Sequence, residues 1–119
     1  MIKNEKLEIM LKKLEENKEE WNKLNDGEQR VLRAYRNCIS NKLDYLVIDD
    51  GWEKEAKEIL ECIKDCGIKK FLFDDTSTEA TKMLMVFIKN GAKITGTEVY
   101  KVEEWTFKTE EYEGLVIEL

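Results

Sequence analysis

Two short apolar runs decide the fold: residues 43–50, LDYLVIDD, and residues 68–75, IKKFLFDD. Each places consecutive apolar side chains directly before a pair of aspartates, a pattern typical of a short strand buried on both faces. Between the two runs, apolar residues recur at the three- and four-residue spacing of one helix face. They are Trp52, Ala56, Ile59, Leu60 and Ile63. Strand, helix and strand at these lengths predict a right-handed crossover between parallel strands.

The same alternation continues toward the C-terminus. A helix through Met83–Ile88 ends at Asn90-Gly91, and two further strands are predicted at 94–102 and 115–119. The fold class is therefore α/β, with the element order α-α-β-α-β-α-β-β. We expect a four-stranded mixed sheet in which the first three strands pair in parallel and the last is antiparallel at an edge. The expected strand order is 2-1-3-4, with a helix on each face, and 1-2-3-4 stays open as the alternative.

The N-terminal third is predicted to be a helical hairpin. A first helix from Lys3 to Leu24 and a second helix ending near Ser40 are joined by a turn too short for anything but antiparallel packing. We expect residues 1–41 to pack on an α/β core of residues 42–119 within a single domain. Because Met83–Ile88 is apolar all round, we expect the hairpin to cover the side of that helix that faces away from the sheet.

Three helix starts are predicted from capping-box spacings, in which a short polar residue is followed three positions later by Glu or Gln. The predicted pairs are Asp26 with Gln29, Asp50 with Glu53, and Thr76 with Glu79.

Composition limits the possible chemistry. The chain has 119 residues, a net charge of −6 and neither histidine nor proline. Without histidine there is no Ser-His-Asp or Cys-His nucleophile and no His-Glu-x-x-His zinc helix. The three cysteines, Cys38, Cys62 and Cys66, include no Cys-x-x-Cys pair, so we expect free thiols. Cys62 and Cys66 lie four residues apart on one predicted helix, which leaves a redox or metal pair as the alternative.

The paired aspartates at the two strand ends form one candidate site. Asp49, Asp50, Asp74 and Asp75 follow parallel strands, and ligands of open α/β sheets bind at the carboxyl ends of strands. Four carboxylates there would suit Mg²⁺, which could recruit a phosphate. The favoured interpretation is that the aspartates only stabilise helix N-termini and that no cofactor binds, with the Mg²⁺ site as the alternative.

Two further groups are candidate partner-binding residues. Arg30, Arg33 and Arg36 recur at a spacing of three, and we expect them to share one exposed helix face. That face either contacts a partner or pairs with the glutamates of the first helix, namely Glu15, Glu16, Glu19 and Glu20. Trp105 and Phe107 lie in a charged segment, where they either fold back on the sheet or form an interface.

Part of the chain resembles a known group of proteins. The residues that carry the resemblance are Phe71–Phe73, Thr76-Ser77, Phe87–Gly91, Gly96 and Leu115–Leu119. They are similar to small uncharacterised α/β accessory proteins of conjugative transposons and related mobile elements of Gram-positive bacteria. The resemblance covers about the C-terminal half and implies an accessory protein of a mobile element. It carries over no functional residues.

The sequence as a whole favours a non-enzymatic interaction or regulatory protein with a protein partner. The alternative is a divalent-metal-dependent, phosphate-handling activity at the four aspartates. We expect a cytoplasmic location, because the chain shows no apolar stretch long enough for a signal peptide or a membrane span. An acidic chain repels the DNA backbone, so we expect no nucleic-acid binding.

Overall fold

A computed structural model describes residues 1–103 and 108–119 of the chain. The elements follow in the predicted order and confirm the mixed α/β fold. They are α1 (Glu5–Glu16), a 3-10 helix (Lys18–Lys23), α2 (Asp26–Ser40), β1 (Val47–Ile48), α3 (Glu53–Asp65), β2 (Lys70–Phe73), α4 (Ala80–Lys89), β3 (Lys93–Glu103) and β4 (Thr109–Glu118).

The sheet has the strand order β1-β2-β4-β3, so both predicted strand orders are wrong. β1 and β2 pair in parallel, the one such pair among the described strands, and β4 is antiparallel to both β2 and β3. β3 therefore runs in the same direction as β1 and β2 but does not pair with either. The predicted antiparallel last strand is confirmed, but it lies inside the sheet and β3 forms the edge.

Helices α3 and α4 pack against each other on one face of the sheet, so the prediction of a helix on each face is wrong. Both crossovers, β1 to β2 and β2 to β3, move across the sheet in the same direction. Right-handed crossovers of this kind put both helices on the same face. The Phe87 ring of α4 is fully buried and makes edge-on contacts with Phe71 and Phe73 of β2, at centroid distances of 5.7 and 5.4 Å.

The N-terminal helices cover α3 and the outer edge of β1 rather than α4. The Sγ atom of Cys38 accepts a hydrogen bond from the edge N–H of Val47 at 3.3 Å. α1 is held to α2 by Tyr35, whose hydroxyl donates to Glu8 and accepts from the backbone N–H of Asn4. The predicted cover over α4 is wrong, because the outward side chain of Ile88 stays 52% exposed.

The first predicted helix is interrupted. α1 ends at Glu16, and the side chain of Asn17 accepts from the N–H of Glu19 and starts the 3-10 helix. Asn side chains bond local backbone groups readily, and this competes with continuation of an α-helix.

None of the three predicted capping boxes forms as predicted. The box at α2 joins Asn25 and Glu28, one residue before the predicted pair. At α3, Oε1 of Glu55 accepts a hydrogen bond from the N–H of Trp52. α4 begins only at Ala80, after a turn in which the carboxyl of Asp75 accepts from the N–H of Ser77.

Among the described residues, no helix has the length and apolar character needed to cross a membrane.

Candidate functional site

The carboxyl ends of β1 and β2 bring Asp49 and Asp74 to the same edge of the sheet. Ile48 pairs with Phe73 in parallel register, and the N–H of Asp74 donates to the carbonyl of Ile48 at 2.9 Å. The next residue along each strand is therefore an aspartate, and the two face a common cavity.

The cavity has a volume of about 450 Å³ and lies between α2, the strand ends and the β3–β4 hairpin. We call it the acidic cavity. Its wall from the α2 side is uncharged, and among the described lining residues the charged groups are Asp49 and Asp74. The lining residues are Ala34, Asn37, Cys38, Asn41, Leu43, Val47, Asp49, Asp74, Thr76, Tyr100, Val102 and Tyr112.

Two tyrosines of the hairpin form the opposite wall. Tyr100 of β3 lies directly opposite Tyr112 of β4, and their rings stack at a centroid distance of 5.5 Å. The hydroxyl of Tyr100 donates to Oδ2 of Asp74 at 2.6 Å. Burial and the neighbouring carboxylate of Asp74 raise the pKa of Tyr100, so this hydroxyl stays protonated at neutral pH. The hairpin is thereby tied to the end of β2.

The electrostatics of the cavity are unfavourable for a second negative charge. Asp49 is exposed as a residue, but the cavity wall excludes water from part of its carboxyl group. This partial burial raises the pKa of Asp49. The negative charges of Asp50, Asp74 and Asp75 raise the pKa further. A positive group placed in the cavity would relieve this repulsion.

The other two predicted aspartates, Asp50 and Asp75, do not line the acidic cavity and contact neighbouring parts of the fold instead. Oδ2 of Asp50 forms an ion pair with Arg30 at 2.9 Å. Oδ1 of Asp75 accepts from the N–H of Ser77, while its buried Oδ2 has no hydrogen-bond partner among the described residues. Among the residues that the structure describes, no three His, Cys, Asp or Glu side chains are grouped so that they could hold a metal ion. The magnesium alternative therefore lacks geometric support there.

The three arginines do not share an exposed face, so that prediction is wrong. Arg30 is largely buried, with 16% of its side chain exposed, and it pairs with Asp50 and with the buried carboxylate of Glu55. Arg33 and Arg36 are exposed, and the guanidinium of Arg33 lies 5.0 Å from the ring centroid of Trp21. None of the described ion pairs joins an arginine to a glutamate of the first helix. Trp105 and Phe107 lie outside the described residues.

All three cysteines are free thiols. A hydrogen bond between the side chains of Cys62 and Cys66 raises the pKa of the buried Cys62 thiol and lowers that of Cys66. Neither thiol lines the acidic cavity.

Sequence reasoning missed Tyr100, Asn37 and Asn41 as lining residues of the cavity. Tyr100 joins the cavity wall because it lies opposite Tyr112 in the register of β3 and β4, and the predicted strands, which ended at 102 and began at 115, did not include that pairing. The positions of Asn37 and Asn41 depend on how α2 packs beside β1.

These features define a four-stranded mixed-sheet protein with an acidic, tyrosine-walled cavity at the carboxyl ends of its parallel strands. The chain belongs to the family described as Domain of unknown function (DUF7698), which it matches over residues 30–116. The match runs from α2 into β4 and includes every residue that lines the acidic cavity. Neither a curated protein nor a solved structure matches the chain.

Proposed function

We propose that the protein is a non-enzymatic interaction protein whose acidic cavity binds a basic side chain of a protein partner. The observation that carries the proposal is the pairing of two carboxylates, Asp49 and Asp74, with two stacked tyrosine rings in one cavity. No Lys or Arg side chain is among the described residues that line it.

This wall fits a cation for two physical reasons. A guanidinium or ammonium group gains charge-assisted hydrogen bonds from carboxylates and also interacts favourably with the face of a tyrosine ring. Bound near Asp49, it would reverse the electrostatic cause of the raised pKa. An anionic ligand would meet the two carboxylates without a compensating cation.

Binding rather than catalysis is supported by the chemistry of the lining groups. The chain contains no histidine, and Tyr100 is a protonated donor to Asp74 rather than a nucleophile. We also propose a cytoplasmic location, which three free thiols support, since reducing compartments keep thiols reduced. A role as an accessory protein of a mobile element remains a proposal that rests on the resemblance alone.

The binding proposal is tested by titrating the ¹⁵N-labelled protein with acetyl-Gly-Arg-Gly-amide and, separately, with acetyl-Gly-Glu-Gly-amide. We expect saturable shifts at the amides of Asp49, Thr76 and Tyr100 with the arginine peptide only. Asp74→Asn is expected to weaken binding by about three- to tenfold, since the loss of one partly exposed ion pair costs about 1 kcal/mol. Asp26→Asn, an exposed carboxylate at the start of α2, is the matched control and should leave the affinity unchanged. Equal shifts with the glutamate peptide, or no shifts with either, would contradict the proposal.

The raised pKa of Asp49 also predicts a pH-dependent gain in stability. A carboxyl whose pKa is higher in the folded protein than in the unfolded chain destabilises the fold once it ionises. Asp49→Asn should therefore raise the free energy of unfolding at pH 7. The gain should vanish below about pH 3.5, where Asp49 holds its proton in both states.

Urea denaturation at a series of pH values measures this effect. Asp26→Asn is expected to act in the opposite direction at pH 7, because a negative charge in the first turn of a helix is stabilising. If Asp49→Asn destabilises the protein at pH 7, the electrostatic description of the cavity is wrong.

A further inference from the structure

A surface groove runs along the helices of the N-terminal third, with α2 on one side and α1 and the 3-10 helix on the other. It consists of two adjoining cavities of about 610 and 480 Å³, and both are lined by Glu15 and Arg36. On α2 the lining residues extend from Arg33 to Ser40, which is about 10 Å of helix. We call the two cavities together the α1–α2 groove.

Apolar side chains lie at both ends of the α1–α2 groove. Leu14 and Trp21 line the 480 Å³ cavity, where Leu14 is buried and Trp21 is half-buried. Leu11 and Ile39 line the 610 Å³ cavity and are half-buried, and Ile9 beside them is 56% exposed. A ligand can therefore remove apolar surface from water at either end of the groove.

The groove is basic, although the protein as a whole is acidic. Its charged lining residues are Lys12, Lys18, Arg33, Arg36, Glu8 and Glu15. Four basic and two acidic side chains give the groove a net charge of +2, which leaves −8 for the rest of a chain whose total is −6. Among the described residues, none of the four cations takes part in an ion pair. Their charge is therefore available to a ligand.

One of these cations is already oriented by an aromatic ring. The guanidinium of Arg33 lies over the ring of Trp21, 5.0 Å from its centroid. A guanidinium that stacks on a ring keeps the N–H groups at its edge for hydrogen bonds to a carboxylate. Because the ring restricts the Arg33 side chain before any ligand arrives, a bound carboxylate orders it at a lower entropic cost.

We propose that the α1–α2 groove binds a short acidic segment of a partner protein that also carries a large apolar side chain. Carboxylates of the segment form charge-assisted hydrogen bonds with Arg33 and Arg36, and the apolar side chain covers Leu14 and Trp21. The groove is separate from the acidic cavity, which is lined by Asn37 of α2 and takes a basic group. The two sites therefore lie on different sides of α2 and differ in the charge that they bind.

Two other occupants fit the groove less well. Nucleic acid would gain from the four cations, but the charge of −8 on the rest of the chain repels a phosphate backbone. A second copy of this chain in a two-fold contact would place the groove against itself. Such a contact would bring Arg33 and Arg36 close to their own equivalents, and like charges repel.

The probe is the peptide acetyl-Glu-Phe-Glu-Glu-Leu-amide, which is titrated into the ¹⁵N-labelled full-length protein. Its control is acetyl-Lys-Phe-Lys-Lys-Leu-amide. We expect a saturable shift of the Trp21 indole N–H with the glutamate peptide and none with the lysine peptide. The indole of Trp52, which is 54% exposed and lines neither cavity of the groove, should not shift and is the internal control. Reading the shift at Trp21 separates the groove from the acidic cavity, which the lysine peptide is free to enter.

Charge-reversal variants test whether the groove itself supplies the affinity. Arg36→Glu is expected to weaken binding of the glutamate peptide about tenfold, because it replaces an attraction by a repulsion. Lys89→Glu changes the net charge of the protein by the same amount at an exposed α4 lysine outside the groove, and should leave the affinity unchanged. Arg33→Lys keeps the charge but loses the planar stacked group, and should weaken binding about threefold. Circular dichroism of each variant establishes that the fold is retained.

Several outcomes would overturn the proposal. One is the absence of a Trp21 shift with the glutamate peptide, and another is an equal shift with the lysine peptide. Equal losses in Arg36→Glu and Lys89→Glu would show that only the net charge of the protein matters. Salt-sensitive binding of a single-stranded oligonucleotide that Arg36→Glu abolishes would assign the groove to nucleic acid. A dimer in light scattering that Arg36→Glu disrupts would assign it to a second copy.

Discussion

Glu55→Ala is expected to destabilise the protein by about 3–5 kcal/mol, the cost typical of removing one partner of a buried ion pair. Oε1 of Glu55 accepts from Nη2 of Arg30 at 3.1 Å and from the N–H of Trp52 at 3.0 Å. Only 8% of the Glu55 side chain and 16% of the Arg30 side chain are exposed. The substitution therefore leaves a buried guanidinium with one exposed partner, Asp50, and removes the cap of α3. Nε of Arg30 already has no hydrogen-bond partner among the described residues, and the remaining carboxylate partner, Asp50, is 72% exposed.

Urea denaturation measures this cost, and α3 itself supplies the matched control. Glu61 pairs with Lys57 at 4.0 Å, with both side chains about two-thirds exposed. Glu61→Ala should change the free energy of unfolding by less than about 0.5 kcal/mol. The double variant Arg30→Met/Glu55→Leu should recover most of the loss, because an apolar pair needs no compensating charge. A loss below about 1 kcal/mol for Glu55→Ala would show that water replaces the carboxylate.

The strand order shows where sequence reasoning stopped short. The patterns located all four strands and the antiparallel direction of the last one, because apolar runs and turn residues are local signals. Which strand lies beside β2 depends on the burial of the hairpin. In β4 the run Leu115–Ile117 is half-buried to fully buried on both faces, while β3 carries Thr, Gly, Lys and Glu and is exposed along most of its length. Continuous apolar character favours an inner strand, and this signal in the C-terminal run was available from the sequence.

Part of the candidate site could be predicted from the sequence, because one general rule applies to ligand sites of parallel sheets. The rule that ligands bind at the carboxyl ends of parallel strands correctly located Asp49 and Asp74 at one cavity. It could not separate them from Asp50, because the partner of Asp50 is Arg30, twenty residues earlier on another element. Helical spacing alone likewise assigned Arg30 to an exposed face. Only the packing of α2 on α3 makes it a buried partner of Glu55.

Deleting residues 1–41 is expected to abolish cooperative folding of the remaining chain. α2 buries Val31, Leu32 and Tyr35 completely, and α1 buries Leu7 completely. Burial of these four side chains contributes on the order of 6–12 kcal/mol, which is comparable to the 5–15 kcal/mol that stabilises a typical domain. The contact between α2 and α3 is also close. A Cβ atom at Gly27 would lie 2.3 Å from Cβ of Glu58, so the two helices meet without room for a side chain.

The deletion also exposes the edge of β1, because Cys38 no longer accepts the N–H of Val47. An exposed strand edge beside uncovered α3 side chains is a template for aggregation. Fragment 42–119 should therefore aggregate or lose its near-ultraviolet circular dichroism and its sigmoidal urea transition. Deleting residues 1–16 is the graded control, since it removes α1 alone and leaves α2 on α3. That fragment should stay folded with a lower midpoint of unfolding. If fragment 42–119 is monomeric and unfolds cooperatively, α2 is not part of the core, and its apolar face becomes a candidate binding surface in its own right.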